Sequence, residues 1–226
     1  MSPEDLRTRL AFGAMGLASR TRLRTVGWRS NDRMDPAFRA VSTVIRVPAQ
    51  VGERIESALE RMRERWPAHL FYPVATLHVT VLNIDPYVPA TGSIAGSVAA
   101  AEAALARHGR FRMTLRGVNV SPWTVFAEVH GADREVAGLR ASLRRALPAR
   151  ADAPRRDAPL RRALPLVLSN VVRFTQPVEA ELLRALRPLR GRAFGSFEAA
   201  TIEIVRTDGL LSEENTEPLS TVTLRG

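Results

Sequence analysis

The run Tyr72-Pro73-Val74-Ala75-Thr76-Leu77-His78-Val79-Thr80-Val81-Leu82 is the stretch of the chain on which its reading turns. From Thr76 to Ile84 β-branched residues dominate, and they predict a strand entered from a Tyr-Pro turn. Side chains on a strand alternate in direction. His78 and Thr80 therefore share one face, while Leu77, Val79 and Val81 share the other. The apolar face would pack on a helix; the opposite face would offer an imidazole beside a hydroxyl. That pair suits phosphoryl chemistry, because an imidazole moves a proton near neutral pH and a hydroxyl donates to a phosphate oxygen. Taken alone, the triplet also fits a half-buried strand histidine with no chemical role.

Working outward, residues 50–66 place Val51, Ile55, Leu59 and Met62 on one helical face, and Pro67 ends the helix. Before it, Val41 to Val47 predicts a strand stopped by Pro48. Downstream come an Ala-rich helix at 93–108 and a strand from Arg112 to Val120. The Ser121-Pro122-Trp123 turn leads to a strand from Val125 to Val129, and a helix follows at 132–147 with Val136, Leu139 and Leu143 on one face. A strand from Leu164 to Phe174, a helix at 177–188 and closing strands at 197–206 and 218–224 complete the chain. The order β-α-β-α-β-β-α-β-α-β-β implies an α+β or α/β protein with two similar lobes.

Ser2, Pro3, Glu4 and Asp5 form a helix start, after which Leu6, Leu10 and Leu17 recur at helical spacing. Residues 19–37 show no clear period and read as a linker or a segment draped on the domain, with Trp28 to pin it. The expected organisation is thus a helical extension and linker at 1–38 and a bilobal domain at 39–226.

Of the 226 residues, 45% are hydrophobic and 25% charged, ordinary values for a globular protein. There is no cysteine, which removes disulfides, thiolate metal sites and cysteine catalysis. No apolar run approaches the roughly 18 residues needed to span a bilayer, and no secretory signal is legible, so a cytoplasmic location without a membrane partner is expected. The net charge of +10 is uneven. Residues 1–40 hold eight arginines against four acids, and residues 140–162 hold eight against two. Such segments suit a polyanion or a phosphate-bearing ligand, although a chain whose basic residues are all arginine also reflects compositional bias. The stretch 148–162 reads as a basic loop.

A Leu-His-Val-Thr-Val-Leu strand, preceded by a Tyr-Pro turn and an amphipathic helix, resembles the first motif of the two-histidine phosphoesterases, the group of 2′-5′ RNA ligases and cyclic phosphodiesterases. The tail from Phe197 through Ile202-Glu203-Ile204-Val205-Arg206 to Leu224 is similar to that family's closing strands. The resemblance covers residues 39–226. It implies an α+β fold of two pseudo-symmetric βαβ-type lobes around a central cleft, each lobe contributing one His-x-Ser/Thr strand. It also implies metal-independent opening of a phosphodiester, with one histidine as base and the other as acid.

The second motif departs from that pattern. Anchoring on Arg173-Phe174 puts Leu168 at the second histidine and Asn170 at the Ser/Thr position; no histidine follows His130. Leu168 cannot move a proton, whereas Asn170 can donate to an anion. By alternation Ser169 and Arg173 fall on the other face unless a bulge intervenes. The expected site is His78 and Thr80 as catalytic residues, with Asn170, Tyr72, Arg173 and His69 toward the substrate. Tyr72 could meet a base or sugar ring, and His69 could line the cleft, although a helix-end or surface place suits His69 and a core place suits Tyr72. His130 at a strand end is expected on the surface, and His108 has no role. No P-loop, dinucleotide fingerprint, metal-binding helix or serine-hydrolase turn occurs, and no cofactor is implied. The expected partner is a phosphorylated small molecule or an RNA end. The alternatives are a fold recruited to isomerisation, cyclisation or acyl transfer, and a non-catalytic module binding RNA or another anion.

Overall fold

The computed structural model describes residues 3–28, 38–84, 94–147 and 166–226. In chain order the elements are α1 (Pro3–Thr25), β1 (Ala40–Arg46), α2 (Ala49–Arg65), β2 (Leu70–Phe71), β3 (His78–Asn83), α3 (Ile94–Leu105), β4 (Phe111–Val120), β5 (Thr124–His130), α4 (Asp133–Ala146), β6 (Val167–Arg173), α5 (Ala180–Ala185), β7 (Ala193–Ala199), β8 (Thr201–Thr207) and β9 (Glu217–Thr223). The fold is α+β, with two antiparallel sheets of order β3-β1-β8-β9 and β2-β6-β5-β4-β7.

The sheets are bound into one body by an exchange of helices. α2 arises between β1 and β3 of the first sheet, yet it packs against β7 of the second. A Cβ on Gly195 of β7 would lie 3.2 Å from Val51, and Arg54 Nη1 donates to the Phe194 carbonyl at 3.1 Å. In the other direction α4 packs on β3, where Arg140 Nε donates to the Val81 carbonyl at 2.8 Å. The apolar stripes set by sequence, Val51-Ile55-Leu59-Met62 and Val136-Leu139-Leu143, thus close one continuous core with residues of both sheets. Each such side chain contributes about 1.5–3 kcal/mol by leaving water.

Two readings of the sequence are corrected, and one strand was not foreseen. The segment 197–206 is two strands, because the chain changes sheets at Ala200: β7 pairs with β4, and β8 with β1. The helix at 177–188 is α only from Ala180 to Ala185; a 3-10 turn follows at Arg187–Leu189, where Pro188 has no N–H to give. β2 is too short for any period to reveal it. The basic loop expected at 148–162 lies outside the described residues.

The third helix surface, α1, runs on to Thr25 through part of the expected linker. It lies over β4 and β5 with Thr8, Phe12, Gly16, Ser19 and Leu23 buried, so that Leu6, Leu10 and Leu17 turn outward. The choice of face follows from one residue. A Cβ on Gly16 would sit 2.0 Å from Asn119 Oδ1, so only glycine lets the helix descend onto that side chain. Asn119 Nδ2 donates to the Phe12 carbonyl and to Glu128, both at 2.9 Å, and Oδ1 accepts from Arg20 at 3.2 Å. The Phe12 ring packs on Phe126 and His130, and the Thr8 hydroxyl donates to Asp133.

Asn119 is tied by four hydrogen bonds and cannot withdraw, so Gly16→Ala is expected to destabilise the protein by about 1–3 kcal/mol. Gly13→Ala, where nothing lies within 4 Å, should be neutral or stabilising by up to about 1 kcal/mol. Thermal denaturation of the two variants reads the difference; equal melting temperatures would mean that α1 is not seated on Asn119.

Candidate functional site

α2 packs on one face of the second sheet and α1 on the other, over β4 and β5. On the first sheet, His78 lies opposite Arg46, and Thr80 opposite Val44. His78 is buried, and its Nδ1 lies 2.8 Å from the Thr76 carbonyl oxygen. A carbonyl only accepts, so Nδ1 carries the proton and Nε2 the lone pair. Nε2 has no partner among the described residues. Burial lowers the His78 pKa to about 4, the Thr76 hydrogen bond opposes this, and the Arg46 and Arg173 guanidinium groups lower it further. His78 is thus a neutral imidazole at physiological pH, poised to accept a proton.

Across from it, β6 contacts β3. Phe126 pairs with Asn170 and Glu128 with Leu168, which puts Leu168 and Asn170 on the same face as Asn119, the face α1 occupies further along. The Thr124 hydroxyl, 2.6 Å from the Val172 carbonyl, also lies 3.3 Å from Asn170 Oδ1; the Asn170 Nδ2 donors have no partner among the described residues. Simple alternation places Arg173 on the far face, and the structure corrects this. Val125 pairs with Val172 while Phe126 pairs with Asn170, so Val171 is an extra residue. That bulge returns Arg173 to the face of Asn170. Arg173 is 5% exposed, its Nη2 donates to the Tyr72 hydroxyl at 3.0 Å, and its Nε has no partner among the described residues.

The structure therefore puts His78 and Thr80 on one face of β3, and Asn170 and Arg173 on one face of β6, the strand that β3 contacts, with Arg173 close enough to act on His78. Tyr72 joins them indirectly: its ring is in the core, and its hydroxyl positions Arg173. His69 does not join them. It is buried against the Phe174 ring, with Nδ1 3.4 Å from the Thr175 amide and Nε2 unpartnered among the described residues, and burial lowers its pKa. His130, expected on the surface, is buried beneath α1, with Nε2 3.1 Å from the Arg116 carbonyl and 3.4 Å from Glu128. His108 meets the Ser142 hydroxyl at 2.9 Å, away from the site.

Arg46 is the site residue that the sequence reading missed. Its Nε donates to Glu203 at 2.9 Å, and beside it a cavity of about 310 Å³ opens on the same face of the sheet, walled by Glu203, Leu211, Glu213 and Thr216. The available signal was a lone arginine ending an otherwise buried strand, but only the register shows that it neighbours His78. Among the described residues no group of three or more histidine, aspartate or glutamate side chains is placed to hold a metal ion.

No family model and no curated protein matches the sequence. Solved structures do match. TT0787 of Thermus thermophilus superposes with a TM-score of 0.58 at 18% identity over 83% of this chain and 98% of its own. Escherichia coli LigT complexed with 3′-AMP gives 0.54 at 16% over 83% and 99%. ATU0111 from Agrobacterium tumefaciens, a conserved protein of unknown function, gives 0.58 at 16% over 88% and 95%. The chain thus shares the fold of TT0787 and LigT, an α+β fold as expected from the resemblance of its His-x-Thr strand.

The depressed His78 pKa has a consequence for stability. An unfolded histidine titrates near 6.5, so between that pH and about 4 the unfolded chain binds the proton that the native site refuses. Stability is fully present above pH 6.5 and falls by up to about 3 kcal/mol on acidification through that window. Denaturant titrations at about pH 7.5, above that window, and about pH 4.5, near its lower end, measure most of it with His78→Gln as reference. An equal acid loss in both proteins would place the effect elsewhere.

Proposed function

We propose that the chain binds a small phosphorylated, nucleotide-like ligand and acts on its phosphoester with His78 as the single proton-transfer group. The observation carrying this reading is Arg173: a buried guanidinium with an unpartnered Nε among the described residues, beside a neutral imidazole whose Nε2 is free of them. An unpaired buried cation is costly alone and favourable once an anion arrives. A phosphate held by Arg173, Thr80 and Asn170 would oppose the two cations that depress His78 and raise its pKa toward the working range. Solved structures of LigT hold ATP, NADP+ and 3′-AMP, which supports a nucleotide-like ligand. α1 covers β4 and β5 on the Asn170 face of the second sheet, and among the described residues a cavity of about 310 Å³ opens beside Arg46. Both favour a small ligand over a long RNA.

In opening a 2′,3′-cyclic phosphate, His78 Nε2 takes the proton of the attacking water as its oxygen bonds to phosphorus. The P–O bond to one ribose oxygen breaks, and that oxygen needs a proton. With Leu168 where the second lobe would offer an imidazole, His78 or solvent must return it, so turnover is slow. Leu168 also supports a second reading, a recruited reaction that needs one proton-transfer group, such as an isomerisation, cyclisation or acyl transfer.

Turnover of 2′,3′-cyclic nucleotides without added metal is the test. His78→Ala should abolish it, and Leu168→His should raise it by roughly 10²–10⁴-fold by restoring an acid. Arg173→Met should weaken 3′-AMP binding by about 10–100-fold. No turnover by the wild type together with 3′-AMP binding indifferent to Arg173 would overturn the proposal.

A further inference from the structure

Every exposed large hydrophobic side chain among the described residues lies on α1 or just after it: Leu6 (45%), Leu10 (65%), Leu17 (64%) and Val26 (64%). At about 100° per residue, Leu6, Leu10 and Leu17 fall within one narrow stripe, opposite the face that Phe12 and Gly16 press onto the second sheet. α1 is therefore apolar on two sides, and the sheet covers one. Arginines flank the bare stripe, with Arg7 on one side, Arg9 and Arg20 on the other, and Arg24 in line with it. The turn that carries Arg187 and Arg190 lies near enough to the C-terminal end of α1 that their charges, with that of Arg24, act on Arg20. Arg20, Arg24, Arg187 and Arg190 make no ion pair among the described residues.

From these two observations we infer that the outward face of α1, with the arginines around its end, docks on an anionic lipid surface. The partner must accept leucines and satisfy cations on both flanks of the helix and on a separate turn. An anionic bilayer surface does both: acyl chains receive the stripe and headgroups surround it. A second copy of the chain would set arginine against arginine. RNA would engage the arginines and leave the leucines in water. No described helix is long and apolar enough to cross a membrane, and none need be, since an interfacial helix lies in the plane of the headgroups.

The full chain should co-sediment with phosphatidylcholine vesicles containing phosphatidylglycerol, and not with phosphatidylcholine alone. Binding should fall by about tenfold or more in L10E/L17E and in R187E/R190E, and steeply with added salt. All four positions are on the surface, and unchanged melting temperatures would verify that the variants fold. Failure to bind the anionic vesicles, or binding unaffected by L10E/L17E, overturns the inference. Size-exclusion chromatography and an RNA-retention assay identify the replacement. A dimer dissolved by L10E/L17E would assign the face to a second copy; RNA binding lost only in R187E/R190E would assign it to nucleic acid.

Discussion

Arg173 is buried with the Tyr72 hydroxyl as its hydrogen-bond partner and no carboxylate paired with it among the described residues. A charge placed so is expensive, because burial removes its hydration and nothing of opposite sign replaces it. Several features exist to hold it there. The extra residue Val171 turns the side chain onto the ligand face. The two-residue strand β2 pairs with the end of β6, opposite Arg173 itself. Tyr72 follows directly, its amide bonded to the Val171 carbonyl and its hydroxyl reaching the guanidinium. The short strand, the bulge and the buried phenol thus serve one purpose, and the ion they position acts in turn on His78.

The exchange of helices makes that position stiff. Because α2 packs on the far sheet and α4 on the near one, the strands bearing His78 and Arg173 cannot part without opening the shared core. α1 adds to the same economy. It seals Asn119, Glu128 and His130 beneath it, a polar patch on the ligand side of the second sheet. Among the described residues a cavity stays open beside Arg46, so the extension would narrow the space left to the proposed ligand.

The alternation at His78 and Thr80 and the amphipathic stripes of α2 and α4 were legible because each depends on local period alone. The motif strand was placed correctly for the same reason. What could not be read depends on partners distant in sequence. Nothing in Phe197–Arg206 marks the change of sheet at Ala200, since no glycine or proline falls there. The buried face of α1 was not legible because three leucines stand out in any count of apolar residues, although Gly16 is what permits the contact. His130 was expected in water because its strand ends there; the covering helix lies roughly a hundred residues or more away in sequence. Arg173 fell on the wrong face because one bulge inverts every alternation beyond it.

A leucine at position 168, in place of an ionisable side chain, bears on the electrostatics as well as on the proton inventory. An imidazole at position 168 could carry a positive charge near a phosphate, and leucine there leaves Arg173 and Arg46 as the cations that act on His78. Guanidinium groups do not titrate in the accessible range, so the remaining positive field is permanent and cannot donate a proton. In the proposed reaction, such a field would favour binding an anion and withdrawing one proton over the two-proton exchange of a symmetric pair. The neutral tautomer of His78, fixed by the Thr76 carbonyl, is the form that such a one-sided exchange requires.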